Sequence, residues 1–330
     1  MQFLGKNIAP LGLGCWPIGG EMYTADGKSV GYSNANDKES IKALHAAFDN
    51  GITLFDTAAA YGAGHSERLL GKAFKTNSDV QVATKIGIEI DETSKTLIGD
   101  EVEPSSILPA IDRCLTRLDR DTIDLMLLHQ NSLAIEPAAA VFDEMDKAIQ
   151  QGKIRSYGWS TDYTASATAM ASRPEFVAIE HAMHVLMDAP NMQSVVRENN
   201  LHALIRSPLA MGLLSGKYTT QTTLPNNDIR ATNQDWLAYY IKGKPNPKYM
   251  DRFNAVRELL QTDGRTAVQG ALGWLWAKST ENIPIPGART VEQVEGLANA
   301  IALGPLPAQT LSEITDLIGG VNESDGISDR

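Results

Sequence analysis

Eight short strand-like runs alternate with helix-like segments along the whole chain, and this alternation restricts the possible folds more than any other feature of the sequence. The runs are rich in apolar and β-branched residues and are bounded by turn-forming residues, which is typical of buried strands. Strands that alternate with helices pair as a parallel sheet with right-handed crossovers, and eight such units predict an α/β fold of the (β/α)8 TIM-barrel type. The predicted strands are 11–14, 52–56, 80–85, 123–129, 154–160, 176–181, 202–207 and 282–286.

Between these runs, apolar residues recur at the spacing of amphipathic helices. In the first such segment, 38–50, Leu44 and Phe48 share one face, and Asp37 stands just before the segment as an N-cap candidate. Pro104 precedes another segment, where a helix is free to begin. The predicted helices are 38–50, 66–74, 105–118, 137–151, 163–172, 190–200, 250–261, 266–279, 290–301 and 307–319.

Three parts of the chain fall outside this repeat. The first ten residues predict a short N-terminal hairpin under the barrel, and the polar segment 322–330 is predicted to be disordered. Residues 209–247 contain several Pro and Asn residues and predict a long loop after strand 7, and a loop of that length in a compact domain is usually functional. Because no linker or shift in composition divides the chain, we expect a single barrel domain over residues 1–330.

The composition narrows the classes of function. Hydrophobic residues make up 43% of the 330 residues and charged residues 21%, which predicts a soluble protein with a sizeable core. The net charge of −11 and the lack of a basic block argue against nucleic acid or an anionic membrane surface as a partner. No apolar run is long enough to cross a bilayer, and no signal peptide is expected. Since Cys15 and Cys114 are the only cysteines and lack metal-ligand spacing, we expect a cytoplasmic protein without a metal site.

Three consecutive strand candidates each end in one ionisable residue. These residues are Asp56, Lys85 and His129, and Tyr61 follows in the loop after Asp56. Taken singly, each residue is better explained as half of a structural ion pair or as a hydrogen-bonded core histidine. In a parallel barrel, however, the C-terminal strand ends meet at one rim, where active sites form. The succession of three, together with Tyr61, therefore favours a site.

The four side-chain types suit proton transfer to a carbonyl oxygen. A phenol of pKa ~10 is a poor acid at neutral pH, and a neighbouring ammonium is expected to lower that pKa. A carboxylate holds the ammonium in place and keeps it charged, and an imidazole can hydrogen-bond the carbonyl. This set holds no hydride, so carbonyl reduction would require a cofactor.

A phosphate site is predicted near the C-terminus, whereas a Rossmann fingerprint is not. The glycine-rich stretch 12–20 has Pro17 where a dinucleotide motif needs glycine, so a tight turn is the better interpretation. The segment 283–290 ends a strand and opens a helix whose free N–H groups, together with Arg289, suit a phosphate. A solvated arginine on a surface turn is the alternative.

Taken together, these residues resemble the aldo-keto reductase superfamily, and the match runs through nearly the whole chain. Its most specific segments are 54–62 and 66–71. Smaller matches are Thr84-Lys85, Leu127-Leu128-His129, Ser207-Pro208-Leu209, the segment 212–217 and the Pro-Gly-x-Arg that ends at Arg289.

The resemblance implies an NAD(P)H-dependent oxidoreductase that interconverts an aldehyde or ketone and an alcohol, with a tetrad of Asp56, Tyr61, Lys85 and His129 in which Tyr61 is the general acid. It also implies a nicotinamide coenzyme lying extended across the barrel mouth. Arg289 leads us to expect NADP(H), with NAD(H) as the second candidate. The implied coenzyme-binding residues are Trp16, Ser160, Thr161, Glu180, Ser207, Leu209, Gly212, Lys217, Gly287, Arg289 and Gln293.

The sequence departs from the family pattern beside the expected nicotinamide and adenine. Thr161 stands in place of an Asn, and Glu180 in place of a Gln. Met183 or His184 takes the place of a stacking Tyr, and Gly296-Leu297 takes that of a Glu-Asn pair near the adenine. These changes predict looser nicotinamide packing and fewer adenine contacts than the family usually has.

The substrate and the physiological role stay open at this point. Aromatic and thioether side chains in the mouth loops suit a sugar, an aryl aldehyde or a polycyclic ketone, and about half of them would serve only to pack the loops. These side chains are Trp16, Met22, Tyr23, Trp236, Tyr239 and Tyr240. A regulatory subunit that binds nicotinamide coenzyme with little or no turnover is the rival function. The oligomeric state is not predicted.

Overall fold

The computed structural model describes residues 1–75, 77–232, 234 and 237–318. Trp236 and the predicted disordered tail 322–330 lie outside these residues. No helix within the described residues is long and apolar enough to cross a membrane.

Eight parallel strands form the barrel, which confirms the predicted fold. Each strand pairs with its sequence neighbour from β1 to β8. Gly14 bridges Gly287 in parallel, and Gly14 N donates to Pro286 O at 3.0 Å, so the chain just beyond β8 returns to β1. The strands are β1 Leu13–Gly14, β2 Leu54–Asp56, β3 Gln81–Ile86, β4 Leu125–Leu128, β5 Tyr157–Ser160, β6 Phe176–Ala182, β7 His202–Arg206 and β8 Asn282–Pro284.

A helix follows each strand and covers the outside of the barrel. Asn36, rather than the expected Asp37, caps the first helix by accepting a hydrogen bond from Glu39 N. The eight helices are α1 Asp37–Asp49, α2 His65–Phe74, α3 Pro104–Leu118, α4 Ile135–Gln150, α5 Thr164–Met170, α6 Pro190–Glu198, α7 Ala267–Lys278 and α8 Val291–Leu303. Three further helices lie outside this set and are Trp16–Gly19, Pro247–Leu260 and Ala308–Ile318.

The alternation of side chains along the strands separates two cores. Leu54, Ala83 and Leu127 pack in the barrel interior, whereas their chain neighbours pack outward against the helices. Because side chains on a strand alternate with a period of two, the residue two positions further on points inward again. For these three strands that next residue is Asp56, Lys85 or His129. The alternation therefore places all three side chains at the top of the barrel interior.

The N-terminal hairpin closes the opposite end, as predicted. It pairs Gln2–Phe3 with Lys6–Asn7 in antiparallel fashion. Phe3 is fully buried in the interior core, and its carbonyl accepts a hydrogen bond from Gln81 Nε2 at 3.1 Å. The hairpin therefore covers the end of the barrel opposite the C-terminal ends of the strands.

The mouth of the barrel carries more regular structure than the sequence predicted. A three-stranded sheet of Tyr23–Thr24, Ile88–Asp91 and Thr96–Asp100 stands beside it. The long loop after β7 contains two 3₁₀ segments, Ala210–Ser215 and Ile229–Ala231, and a two-stranded ribbon. These pieces are two to six residues long, too short to give a periodic pattern in the sequence.

Gly270 in α7 is expected to be essential for packing. A Cβ at this position would collide with the carbonyl of Leu260, at the end of the neighbouring helix Pro247–Leu260. We predict that Gly270→Ala lowers the free energy of unfolding by roughly 1–3 kcal/mol, measured by urea denaturation.

Gly296→Ala in α8 is the matched control, since nothing lies within 4 Å of its added methyl. It is expected to stabilise by roughly 0.5–1 kcal/mol, because alanine is the better helix former. Equal stability of the two variants would contradict the collision.

Candidate active site

The C-terminal ends of the strands surround a cavity of about 1120 Å³. It runs from the barrel interior, where Asp56, Tyr61 and His129 line it, to the first turn of α8. One elongated cavity thus joins the predicted proton-transfer site to the predicted phosphate site.

Lys85 is the centre of the inner end. Its Nζ lies 2.5 Å from Asp56 Oδ1, donates to the carbonyl of Thr57 at 3.0 Å and to the Tyr61 hydroxyl at 3.3 Å. The side chain is fully buried and does not line the cavity, whereas its partners Asp56 and Tyr61 do.

Glu180 brings a second carboxylate to the same ammonium. Its Oε2 lies 3.1 Å from Lys85 Nζ, and its Oε1 accepts a hydrogen bond from Ser160 Oγ at 3.3 Å. Apart from this ion pair, Oε2 has no hydrogen-bond partner among the described residues. The side chain is 2% exposed and lines the cavity, so its charge lies close to a molecule bound there.

A tight loop positions Tyr61. Gly62 has φ +62°, and a Cβ there would collide with the carbonyl of Gly19 in the short helix Trp16–Gly19, so glycine is required next to the phenol. The Trp16 ring stacks on the Tyr61 ring with centroids 5.8 Å apart, and the His129 ring meets it edge-on at 5.9 Å. The hydroxyl is thereby held between Lys85 and His129.

The charges around Tyr61 correct one expectation from the sequence, because the pKa of this phenol is raised overall and not lowered. Burial raises the pKa of Tyr61 above its usual value; Lys85 lowers it as expected, but Asp56 and Glu180 oppose Lys85. Burial alone would lower the pKa of Lys85, and the two carboxylates outweigh it and raise that pKa. The pKa of Asp56 lies well above its usual range because of burial and Glu180. At neutral pH Tyr61 is therefore a protonated phenol, which can donate a proton.

His129 carries no charge at neutral pH. Burial, together with the positive charges of Lys85 and Arg206, lowers its pKa to about 3. A neutral imidazole can still donate a hydrogen bond, but it is not a strong acid, so Tyr61 is the stronger candidate for the proton donor.

The outer end of the cavity offers groups that suit a phosphate. Arg289 N donates to Gln293 Oε1 at 2.9 Å, while Arg289 Nη1 donates to Ser33 O at 2.6 Å. Thr290 caps α8 by accepting from Gln293 N, and the first turn of the helix lines the cavity. A helix N-terminus and a guanidinium at one end of an elongated cavity fit a phosphorylated dinucleotide. Ser207, Leu209, Gly212, Lys217 and Gly287 line the stretch between the two ends.

Three predicted positions lie away from the cavity wall. Thr161 is buried, and its hydroxyl donates to Asn131 O at 2.6 Å, so it supports a lining residue without lining the cavity itself. Met183 and His184 are fully buried, and neither faces the cavity as a stacking residue would.

Two of the aromatic side chains considered for the pocket prove to be packing residues. Tyr239 and Tyr240 are buried in the loop after β7, and Tyr239 hydrogen-bonds His184 Nε2 through its hydroxyl at 2.8 Å. Trp16 and Met22 do line the cavity, as do Tyr32 and Tyr218, which the sequence did not single out.

Arg206 is the most prominent cavity residue that the sequence analysis missed. It ends β7, lines the cavity and forms an ion pair with the buried Asp162. An ionisable residue at a strand end was the signal used for Asp56, Lys85 and His129, and the same signal identifies Arg206.

Arg230 joins the two mouth loops beside the cavity. Its guanidinium forms an ion pair with Asp228 at 2.8 Å and lies 5.2–5.7 Å from the ring centres of three tyrosines, Tyr32, Tyr218 and Tyr240. Ile229 N donates to Gly31 O at 2.9 Å, so the loop after β7 is bound to the loop after β1.

Comparison with known proteins identifies the relatives of this chain. The model of the family described as "Aldo/keto reductase family" matches residues 10–318. The aldo-keto reductase YhdN of Bacillus subtilis is 30% identical, over 89% of this chain and 85% of its own. The aldo-keto reductase yakc [NADP(+)] of Schizosaccharomyces pombe is 26% identical, over 95% of this chain and 89% of its own. The solved structure of the glycerol dehydrogenase AKR11B4 from Gluconobacter oxydans has a TM-score of 0.78 and 25% identity, over 98% and 95%.

Lys85→Met is predicted to destabilise the protein in a pH-dependent manner. It leaves Asp56 and Glu180 buried without their counter-ion, which should lower the free energy of unfolding by roughly 3–5 kcal/mol near pH 8. Burial then keeps the pKa of Asp56 above its unfolded value of ~3.9. Stability from the bound proton is full below that value and is lost as pH rises through the folded pKa. The decrease in the free energy of unfolding, measured by urea denaturation, should therefore be smaller at pH 5 than at pH 8.

Lys42→Met is the control, because Lys42 forms an exposed ion pair with Glu39 and such pairs contribute little. If the decrease in the free energy of unfolding relative to the wild type is the same at pH 5 and pH 8, Lys85 is not the counter-ion on which these carboxylates depend.

Proposed function

This chain belongs to the aldo/keto reductase family and is an NAD(P)H-dependent oxidoreductase, and on that premise we propose that it interconverts a carbonyl and an alcohol with NADP(H), with Tyr61 as the general acid. The observation that carries the proposal is the Tyr61 hydroxyl, 3.3 Å from the Lys85 ammonium and beside the neutral ring of His129, at the wall of an open cavity. The names of two relatives, an NADP(+) aldo-keto reductase and a glycerol dehydrogenase, support the same class of reaction.

The chain's own residues account for the proton in this reaction. A carbonyl oxygen bound beside Tyr61 would accept a hydrogen bond from the phenol and a second one from His129. As negative charge develops on that oxygen, the phenol proton moves to it, and Lys85 stabilises the resulting phenolate. Asp56 and Glu180 keep the ammonium charged and in place. The bound coenzyme supplies the hydride that the carbonyl carbon receives.

The outer end of the cavity favours a 2′-phosphate. Arg289 and the N-terminus of α8 meet there, and each stabilises an anion. Glu292 lines the cavity in the same helical turn and opposes a phosphate. The net preference for NADP(H) over NAD(H) should therefore be moderate, roughly ten- to hundred-fold, as expected from charge-assisted hydrogen bonds of ~1.5–3 kcal/mol.

The wall near Tyr61 favours an uncharged, partly apolar substrate. Trp16, Met22, Val30, Tyr32 and Leu97 contribute apolar surface to the cavity. Aldehydes and ketones with an aromatic or alicyclic body fit such a wall, and a sugar could stack on the aromatic rings. NADPH oxidation with a panel of these carbonyls tests the proposal directly. Coenzyme binding without turnover across the panel would favour the regulatory alternative.

Tyr61→Phe should abolish carbonyl reduction while leaving coenzyme affinity nearly unchanged. The substitution removes the transferable proton and keeps the ring that stacks on Trp16, so kcat should fall roughly 10²–10⁴-fold. Steady-state kinetics and coenzyme titration measure the two effects separately. Near-normal turnover in this variant would remove the assignment of Tyr61.

Arg289→Ala should reduce the preference for NADPH over NADH. Losing the guanidinium should lower kcat/KM with NADPH about tenfold or more and change kcat/KM with NADH little. Glu292→Gln, in the same turn, is the opposite control and should increase the preference by relieving repulsion. Equal use of both coenzymes by the wild type, or an undiminished preference in Arg289→Ala, would refute this role.

A further inference from the structure

The inner end of the cavity contains an excess of negative groups. Lys85 is the one cation in direct contact with the carboxyl groups of Asp56 and Glu180, at 2.5 and 3.1 Å, among the described residues. All three side chains are almost fully buried. With both carboxyl groups ionised, this trio has a net charge of −1, whereas a single bound proton makes it neutral. Burial penalises the charged state in the absence of a compensating cation.

Asp56 and Glu180 both line the cavity, and Glu180 is the one with the longer contact to Lys85. It lines the cavity next to Ser160, and its Oε2 has no hydrogen-bond partner among the described residues beyond the ion pair with Lys85. Lys85 is sealed beneath the wall, and Asp56 makes the closer contact with it. The negative field of the trio therefore acts on a ligand mainly through Glu180.

The oxidised and reduced forms of a nicotinamide ring differ in charge, and this difference matters next to a buried carboxylate. The oxidised ring carries a positive charge and the dihydronicotinamide ring is neutral, so a buried carboxylate in the same cavity discriminates between them. Ring packing and hydrogen bonding to the amide act on both forms alike. Charge is thus the one property of Glu180 that can separate the two.

We propose that Glu180 is a redox-selecting carboxylate, which tightens binding of NADP⁺ relative to NADPH by supplying the counter-charge of the oxidised ring. The proposal rests on the proposed function, since it requires a nicotinamide coenzyme with its ring at the Tyr61 end of the cavity. Within that function it biases the bound coenzyme: at equal concentrations of the two forms, a larger share of the protein carries NADP⁺ than in a site without this charge.

Binding of NADP⁺ should release a proton from the Asp56–Glu180 pair. Asp56 and Glu180 lie against the same ammonium, and burial together with Glu180 raises the pKa of Asp56, which favours a proton on the Asp56 carboxyl group. A cationic ring would displace that proton, whereas a neutral ring would leave it. The affinity for NADP⁺ should therefore rise with pH while the affinity for NADPH stays nearly constant.

The other ionisable groups around the pair do not reproduce this dependence. Tyr61 and Lys85 have pKa values raised far above neutrality, and His129 has a pKa of about 3, so none of them titrates between pH 6 and 9. Arg206 is paired with Asp162, and the buried Cys15 thiol has a raised pKa. The 2′-phosphate of the coenzyme titrates alike in both redox forms and cancels in the comparison.

The test measures dissociation constants for NADP⁺ and NADPH by fluorescence titration, in the wild type and in Glu180→Gln, from pH 6 to 9. We expect Glu180→Gln to weaken NADP⁺ binding and not NADPH binding, changing the ratio of the two constants by about ten- to hundred-fold, the effect of one charge in a buried site. By linkage, each tenfold change shifts the two-electron potential of the bound couple by about 30 mV. The pH dependence of NADP⁺ binding should disappear in the variant.

Glu67→Gln is the matched control. Glu67 is also a fully buried glutamate, bonded to Thr84 and Arg117 outside the cavity, so its replacement removes one buried charge without altering the ratio. Calorimetry of the wild type in buffers of different ionisation enthalpy provides a test without any variant. It should show more protons released on binding NADP⁺ than on binding NADPH.

Each other result overturns the inference in a recognisable way. If Glu180→Gln changes both constants by the same factor, Glu180 acts through packing or hydrogen bonding and not through charge. Equal proton release for the two coenzyme forms refutes the proton-sharing pair. If neither coenzyme binds the wild-type protein, the proposed function itself fails, and the selection fails with it.

Discussion

The contact between Lys85 and its two carboxylates is the interaction on which the inner half of this protein depends. An ammonium inside a barrel costs several kcal/mol in lost hydration unless partners replace the water. Asp56 and Glu180 do so from two different strands, β2 and β6, and Thr57 adds a carbonyl. The pKa of Tyr61 is raised first by burial, and the same contact adds to this because the carboxylates oppose the lowering effect of the ammonium. Packing and acidity are thus determined together.

The remainder of the cavity depends on loops that hold one another. Arg230 lies among three tyrosines and pairs with Asp228, while backbone hydrogen bonds connect this segment to the loop after β1. A guanidinium over aromatic rings gains both dispersion and cation–π attraction, and its ion pair is mostly shielded from water. The segment around Arg230 therefore connects the loop after β7 to the loop after β1 beside the cavity.

The barrel and the inner site were largely predictable, since both follow from periodicity. The period of two that places Leu54 and Ala83 inside also places Asp56 and Lys85 one layer higher, and applied to β7 it would have found Arg206 two residues after Leu204. The features that could not be predicted from the sequence depend on contacts between distant parts of the chain. The net effect on Tyr61 required the position of Glu180, about 120 residues further along the chain. The small sheet beside the mouth consists of strands too short for a pattern.

The closure of the barrel by Gly14 and Gly287 has a consequence for biosynthesis. Trp16 and Arg289 lie at walls of the same cavity, yet about 270 residues separate them along the chain. Until the ribosome has released the segment beyond β8, the nascent chain has no pairing partner for β1 at this edge. The end of the cavity that is lined by the first turn of α8 is also missing. Such long-range closure is slow to form. We therefore expect a coenzyme that contacts both walls to stabilise the barrel after it has closed.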